Sequence, residues 1–69
     1  MNPLSENWIV KYECLDRDGV MQCCGGRMFP TYPSEADIDQ VLRGLRAENQ
    51  QAVRFAIRIE HHIYVEQTP

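Results

Sequence analysis

Five side chains in this sequence belong to the types that bind metals or act as nucleophile and base: Cys14, Cys23, Cys24, His61 and His62. Structural zinc sites use cysteine pairs two to four residues apart, closed by four ligands. Cys23 and Cys24 are adjacent, and neighbouring residues on a strand point to opposite faces, so the two do not share one ion. Cys14, Cys23 and His61 can share a face, which leaves the set one ligand short. A catalytic thiolate needs a helix N-terminus or nearby cations, and no cysteine lies at an expected helix start. The expectation is therefore no metal, no cofactor and no catalytic residue.

The acidic residues have structural work to do. Asp16 and Asp18 belong to a turn, and Glu35, Asp37 and Asp39 to the first turns of a helix, where carboxylates favour the helix dipole. That leaves no spare pair for acid-base catalysis. Gly25-Gly26 lacks the spacing of a phosphate-binding loop. A non-enzymatic binding protein is the expectation.

Candidate partner-binding residues fall into two groups. Arg54, Arg58 and Tyr64 share one face of the last strand, with Lys11 close by on the first, and Glu35, Asp37 and Asp39 mark the helix start. A basic sheet with stacking aromatics would suit RNA. Glu13, Glu60 and Glu66 share the same face, however, and ten acidic residues against seven basic ones give a net charge of -3. Neutralising phosphates needs the opposite balance. Six of the seven cations are Arg, whose planar fork suits protein interfaces. A larger protein or ribonucleoprotein complex is the expected partner, with no direct nucleic-acid contact and no membrane. The alternative is a small nucleic-acid-binding regulator or antitoxin-like protein, which a steep loss of affinity with salt would reveal.

At 69 residues the chain holds one domain. The longest pattern is C-terminal. Val53, Phe55, Ile57, Ile59, His61, Ile63 and Val65 alternate with Arg54, Ala56, Arg58, Glu60, His62 and Tyr64, the period of a half-buried strand. Trp8, Val10, Tyr12 and Cys14 alternate in the same way. Asp16-Arg17-Asp18-Gly19 has turn chemistry, and Leu15 opposite Val20 would set Cys14 against Met21, Tyr12 against Cys23, Val10 against Gly25 and Trp8 against Arg27. The second strand is expected to bend or stop at Gly25-Gly26. The segment Met28 to Pro33, with two prolines, reads as a loop whose Phe29 and Tyr32 cap the core. Ser34 is an N-cap, and Ile38, Val41, Leu42 and Leu45 form a helical apolar stripe. Asn49, tolerant of the left-handed conformation, should end that helix.

The fold class that follows is α+β: a ββαβ chain forming a three-stranded antiparallel sheet, order 2-1-3, with one helix on one face. Residues 1 to 7 are expected to be a flexible N-terminal tail, 8 to 66 the domain and 67 to 69 a short tail.

An acidic ββαβ chain of this size, with no site motif and a long last strand, resembles the small accessory proteins of phages and mobile elements. Anti-CRISPR proteins and other anti-defence inhibitors are the group in question. The resemblance rests on size and organisation, carries no shared motif and transfers no residue role. It implies an inhibitor of a host defence complex of the CRISPR-Cas type, acting in the host cytoplasm.

Three cysteines, an odd number with no secretory leader pattern, are expected to stay reduced. No apolar run reaches the roughly 20 residues that span a bilayer, so a soluble protein is expected. The C-terminal alternation also outruns the seven or so residues available from Trp8 to Leu15, and strands pair at matched lengths. Homodimerisation through the last strand, with Ile63 and Val65 at the contact, is the expected outlet. A bend at His61-His62 is the rival.

Overall fold

The computed structural model describes residues Leu4 to Glu66. Their order is β1 (Leu4–Leu15), β2 (Met21–Phe29), α1 (Glu35–Glu48) and β3 (Arg54–Val65). The strands form one sheet in the order β2-β1-β3, and both pairings of β1 are antiparallel. The α+β architecture read from the sequence is thus the observed one.

β1 starts earlier than the sequence suggested. Leu4 to Asn7, expected to belong to the tail, lie opposite Val65 to His62. Backbone pairing to a long neighbour orders these residues, although their own side chains show no period. β3 is a single strand with no break at His61-His62, and β1 matches its 12 residues with 12. The length mismatch inferred from the sequence does not exist. The expected tails at residues 1 to 3 and 67 to 69 lie outside the described residues.

The β1-β2 turn is one residue longer than expected, and together with a bulge it moves the register by two residues. One Asp16 carboxylate oxygen accepts the N–H groups of Asp18 and Val20, both at 2.9 Å, and the other accepts Gln22 Nε2 at 2.8 Å. Gly19 closes the loop with φ +81°, a conformation favouring glycine. Val20 is thereby held in the turn, Leu15 faces Met21, and a bulge between Cys14 and Leu15 sets Cys14 opposite Cys23. Tyr12 then faces Gly25, Val10 faces Arg27 and Trp8 faces Phe29. A shift of two keeps every side chain on its face but changes all its neighbours.

β2 runs through Gly25-Gly26 instead of stopping there. A Cβ on Gly25 would sit 2.8 Å from Tyr12 Oη, and one on Gly26 3.0 Å from Ile9 Cγ2. The glycines give room to side chains that cross over them from β1.

α1 begins with a complete capping box: Ser34 Oγ accepts the Asp37 N–H at 3.1 Å, and Asp37 Oδ2 accepts the Ser34 N–H at 3.0 Å. Asn49 ends the helix as expected, though not in the left-handed conformation; its φ is -126°. It donates both its backbone N–H and its side-chain Nδ2 to the Leu45 carbonyl instead.

The helix lays Val41 and Leu45 on Cys14, with Tyr12, Cys23, Phe29, Ala52 and Phe55 around them. This cluster occupies one end of one sheet face. Tyr32, expected to cap the core, is exposed and meets Trp8 edge-on, with ring centroids 6.4 Å apart. The molecule measures 51 × 25 × 15 Å, and its radius of gyration of 15.3 Å exceeds the value of about 11 Å for a compact domain of this length. Much of the sheet therefore lacks a second layer.

Candidate binding surface

The face of the sheet opposite α1 carries Ile9, Lys11 and Glu13 from β1, Cys24, Gly26 and Met28 from β2, and Ala56 and Arg58 from β3. Strand parity places them together, and they line a shallow depression of about 630 Å³. Gly26 lets Ile9 lie low across β2. Met28, 61% exposed, stands beside it. The result is an apolar floor of Ile9, Met28 and Ala56, with Lys11, Glu13 and Arg58 at its margin. Protein interfaces have this anatomy, an apolar centre within a charged rim.

Along β3 the same face carries a polar row. Arg58 Nη2 and His62 Nε2 approach the two carboxylate oxygens of Glu60 at 2.9 and 3.0 Å. The hydrogen bond from His62 chiefly holds the Glu60 carboxyl below its ordinary range; partial burial opposes this, and the charges of Lys11 and Arg58 assist it. The His62 and Tyr64 rings lie 6.3 Å apart. Arg54, Arg58 and Tyr64 do share this open face, in line with their expected grouping.

Glu35, Asp37 and Asp39 do not join them. They start the helix, and α1 packs on the other face of the sheet, so the two groups form separate surfaces. Asp37 is moreover engaged in the capping box. Ile63 and Val65, the expected self-association residues, lie exposed on the helix side of β3, beyond the reach of α1.

Sequence reasoning missed Ile9 and Met28. The signal was present: Ile9 is an apolar residue at a polar parity position in β1, and Met28 reaches this face only because β2 continues past the glycines.

The potential metal ligands are dispersed. Cys14 and Cys23 are joined as a cross-strand disulfide with a Cα–Cα distance of 5.0 Å, which corrects the expectation of three reduced thiols. The two-residue register change brings them together. Cys24 remains a free thiol on the open face. His61 stacks on Trp8, and its Nε2 lies 2.8 Å from Glu6 Oε2. Among the described residues no three His, Cys, Asp or Glu side chains gather as ligands for an ion, and no helix is long and apolar enough to cross a membrane.

No protein-family model, curated protein or solved structure matches the chain.

Proposed function

We propose that this protein is a non-enzymatic binding module that inhibits a larger host defence complex of the CRISPR-Cas type, the role of the small anti-defence proteins it resembles in size and organisation. The observation that carries the binding part of this reading is the open sheet face. Ile9, Met28 and Ala56 form an apolar floor rimmed by Lys11, Glu13 and Arg58, with no helix over it among the described residues. The depression is shallow and broad, suited to another protein's surface more than to a small molecule, which binds in a deeper cleft. Lys11 and Arg58 alternate there with Glu13 and Glu60, a pattern that selects a partner of mixed charge and not a polyanion.

The test is to add purified protein to an assembled CRISPR-Cas effector and follow both complex formation and target cleavage. Binding and inhibition are expected, both lost with Met28→Glu or Lys11→Glu and retained with Arg43→Glu on the exposed helix surface. Equal loss with all three variants would remove the open face as the docking surface. Turnover of a substrate, or tight binding to free RNA at physiological salt, would overturn the reading itself.

A further inference from the structure

Among the described residues the outer edge of β3 has no neighbour in the sheet, and an edge strand exposes half of its backbone N–H and C=O groups. Proteins blunt such edges with charged side chains, Lys above all, with Pro or with bulges; β3 contains no Lys or Pro in Arg54–Val65, and its charged Arg58 and Glu60 pair with each other. Exposed apolar side chains flank and end it: Val53 just before the strand at 54%, and Ile63 at 58% and Val65 at 64% at its C-terminal end.

We propose that two copies of the chain pair along β3, antiparallel about a two-fold axis through Ile59, to form one continuous six-stranded sheet. Each residue of β3 then faces one whose number makes a sum of 118 with its own. Arg58 lies opposite the partner's Glu60, and Glu60 opposite the partner's Arg58. On the helix side, Phe55 meets the partner's Ile63, Ile57 meets the partner's His61, and Val53 meets the partner's Val65. The bare end of each strand comes to rest beside the helix-covered end of the other.

The charges exclude the two neighbouring registers of the same parity. Moving the axis to residue 60 sets Glu60 against the partner's Glu60, and moving it to residue 58 sets Arg58 against the partner's Arg58; like charges directly opposite one another are unfavourable. A shift by a single residue would place the apolar row opposite the polar one. Arg58 and Glu60 already form an ion pair along the strand at 2.9 Å, so both side chains lie within reach of an exchange with the partner.

The surface area also fits. The chain exposes 5465 Å², whereas a compact protein of 8.0 kDa exposes about 4,450 Å². The excess of about 1,000 Å² is similar to the roughly 800 Å² that each partner buries in an interface of standard size. Two-fold pairing is the commonest mode of oligomerisation. It leaves the open face free and doubles it, so it stands independently of the function proposed above.

Light scattering with sedimentation at micromolar concentration measures the mass, and cysteine cross-linking reads the register. A dimer mass is expected for the wild type. Glu60→Arg should shift the population towards monomer at least tenfold in dissociation constant, and the double substitution Arg58→Glu with Glu60→Arg should restore the dimer. In a Cys24→Ser background, Ile59→Cys should cross-link rapidly under mild oxidation, while Ile57→Cys and Ile63→Cys alone should not. The cross-linking result does not depend on the folding of the charge variants. A wild-type monomer, a double variant as dissociated as Glu60→Arg, or equal cross-linking at positions 57, 59 and 63 would each overturn the proposal.

Discussion

Trp8 and His61 lie directly opposite each other on β1 and β3, their rings stacked with centroids 4.5 Å apart and planes 8° from parallel. Glu6 holds the far side of the imidazole at 2.8 Å, and Tyr32 meets the indole from the edge. These contacts sit where β2 ends and β1 and β3 continue as a two-stranded ribbon. An isolated ribbon is marginal in water, so side-chain pairs across it have to hold its register. A double-mutant cycle between Trp8→Leu and His61→Ala should return a coupling of about 0.5 to 1.5 kcal/mol, the range for stacked aromatic pairs. Trp8 is the sole tryptophan, so its emission should also change with His61→Ala. Strictly additive losses of stability and an unchanged spectrum would show that the stack contributes nothing.

The cross-strand link between Cys14 and Cys23 should leave Cys24 as the single reactive thiol of the native protein, against three after reduction and unfolding. Closing a loop of this length is expected to stabilise the fold by roughly 2 to 3 kcal/mol through restriction of the unfolded chain. A denaturant midpoint that falls on adding reductant, and does not fall in a Cys14→Ala/Cys23→Ala variant, is the expected pattern. Three rapidly titrating thiols in the untreated native protein would contradict it.

Glu60 should contribute to acid sensitivity. Its carboxyl is held below the ordinary value of 4.5, first by the hydrogen bond from His62 and also by the charges of Lys11, Arg58 and His62. A carboxyl whose folded value is lowered stabilises the native state at pH above the unfolded value. That contribution is lost as pH falls through the folded value. The slope of stability against pH below 4.5 should therefore be shallower in Glu60→Gln than in the wild type. Superimposable slopes in that range would show that the Glu60 cluster does not couple to folding.

Two glycines should respond in opposite directions to the same substitution. Gly44 lies within α1 with nothing inside 4 Å of the position an added methyl would take, so Gly44→Ala should stabilise the protein by about 0.5 to 1 kcal/mol through helix propensity. On Gly25 the added methyl would meet Tyr12 Oη at 2.8 Å, and Tyr12 is part of the packing around Cys14. Gly25→Ala should cost about 1 to 3 kcal/mol, the usual range for overpacking. Thermal unfolding of the two variants decides the matter, and a loss at Gly44 would mean that something in solution packs against that helix surface.

Local patterns were enough to determine the elements and their faces. Alternation from Val53 to Val65 and from Trp8 to Cys14 specified two strands and the side each residue takes, because side-chain direction on a strand depends only on parity. Ser34, Asp37 and Asn49 marked the helix ends through bonds that span only three or four residues. Register depended on more than parity. Whether Val20 belonged to the turn or to β2 was decided by where the Asp16 carboxylate found its donors, and that choice, together with the bulge between Cys14 and Leu15, determined whether Cys14 met Met21 or Cys23. The extent of the strands was also a tertiary matter. Leu4 to Asn7 have no strand pattern of their own and are ordered by pairing with β3, while β2 passes Gly25-Gly26 because Tyr12 and Ile9 fill the space above the glycines. The open face followed from both. Arg54, Arg58 and Tyr64 were legible by parity along one strand, but Ile9 and Met28 joined them only once three strands stood side by side, since neighbours across a sheet are chosen by hydrogen-bond register and not by distance along the chain.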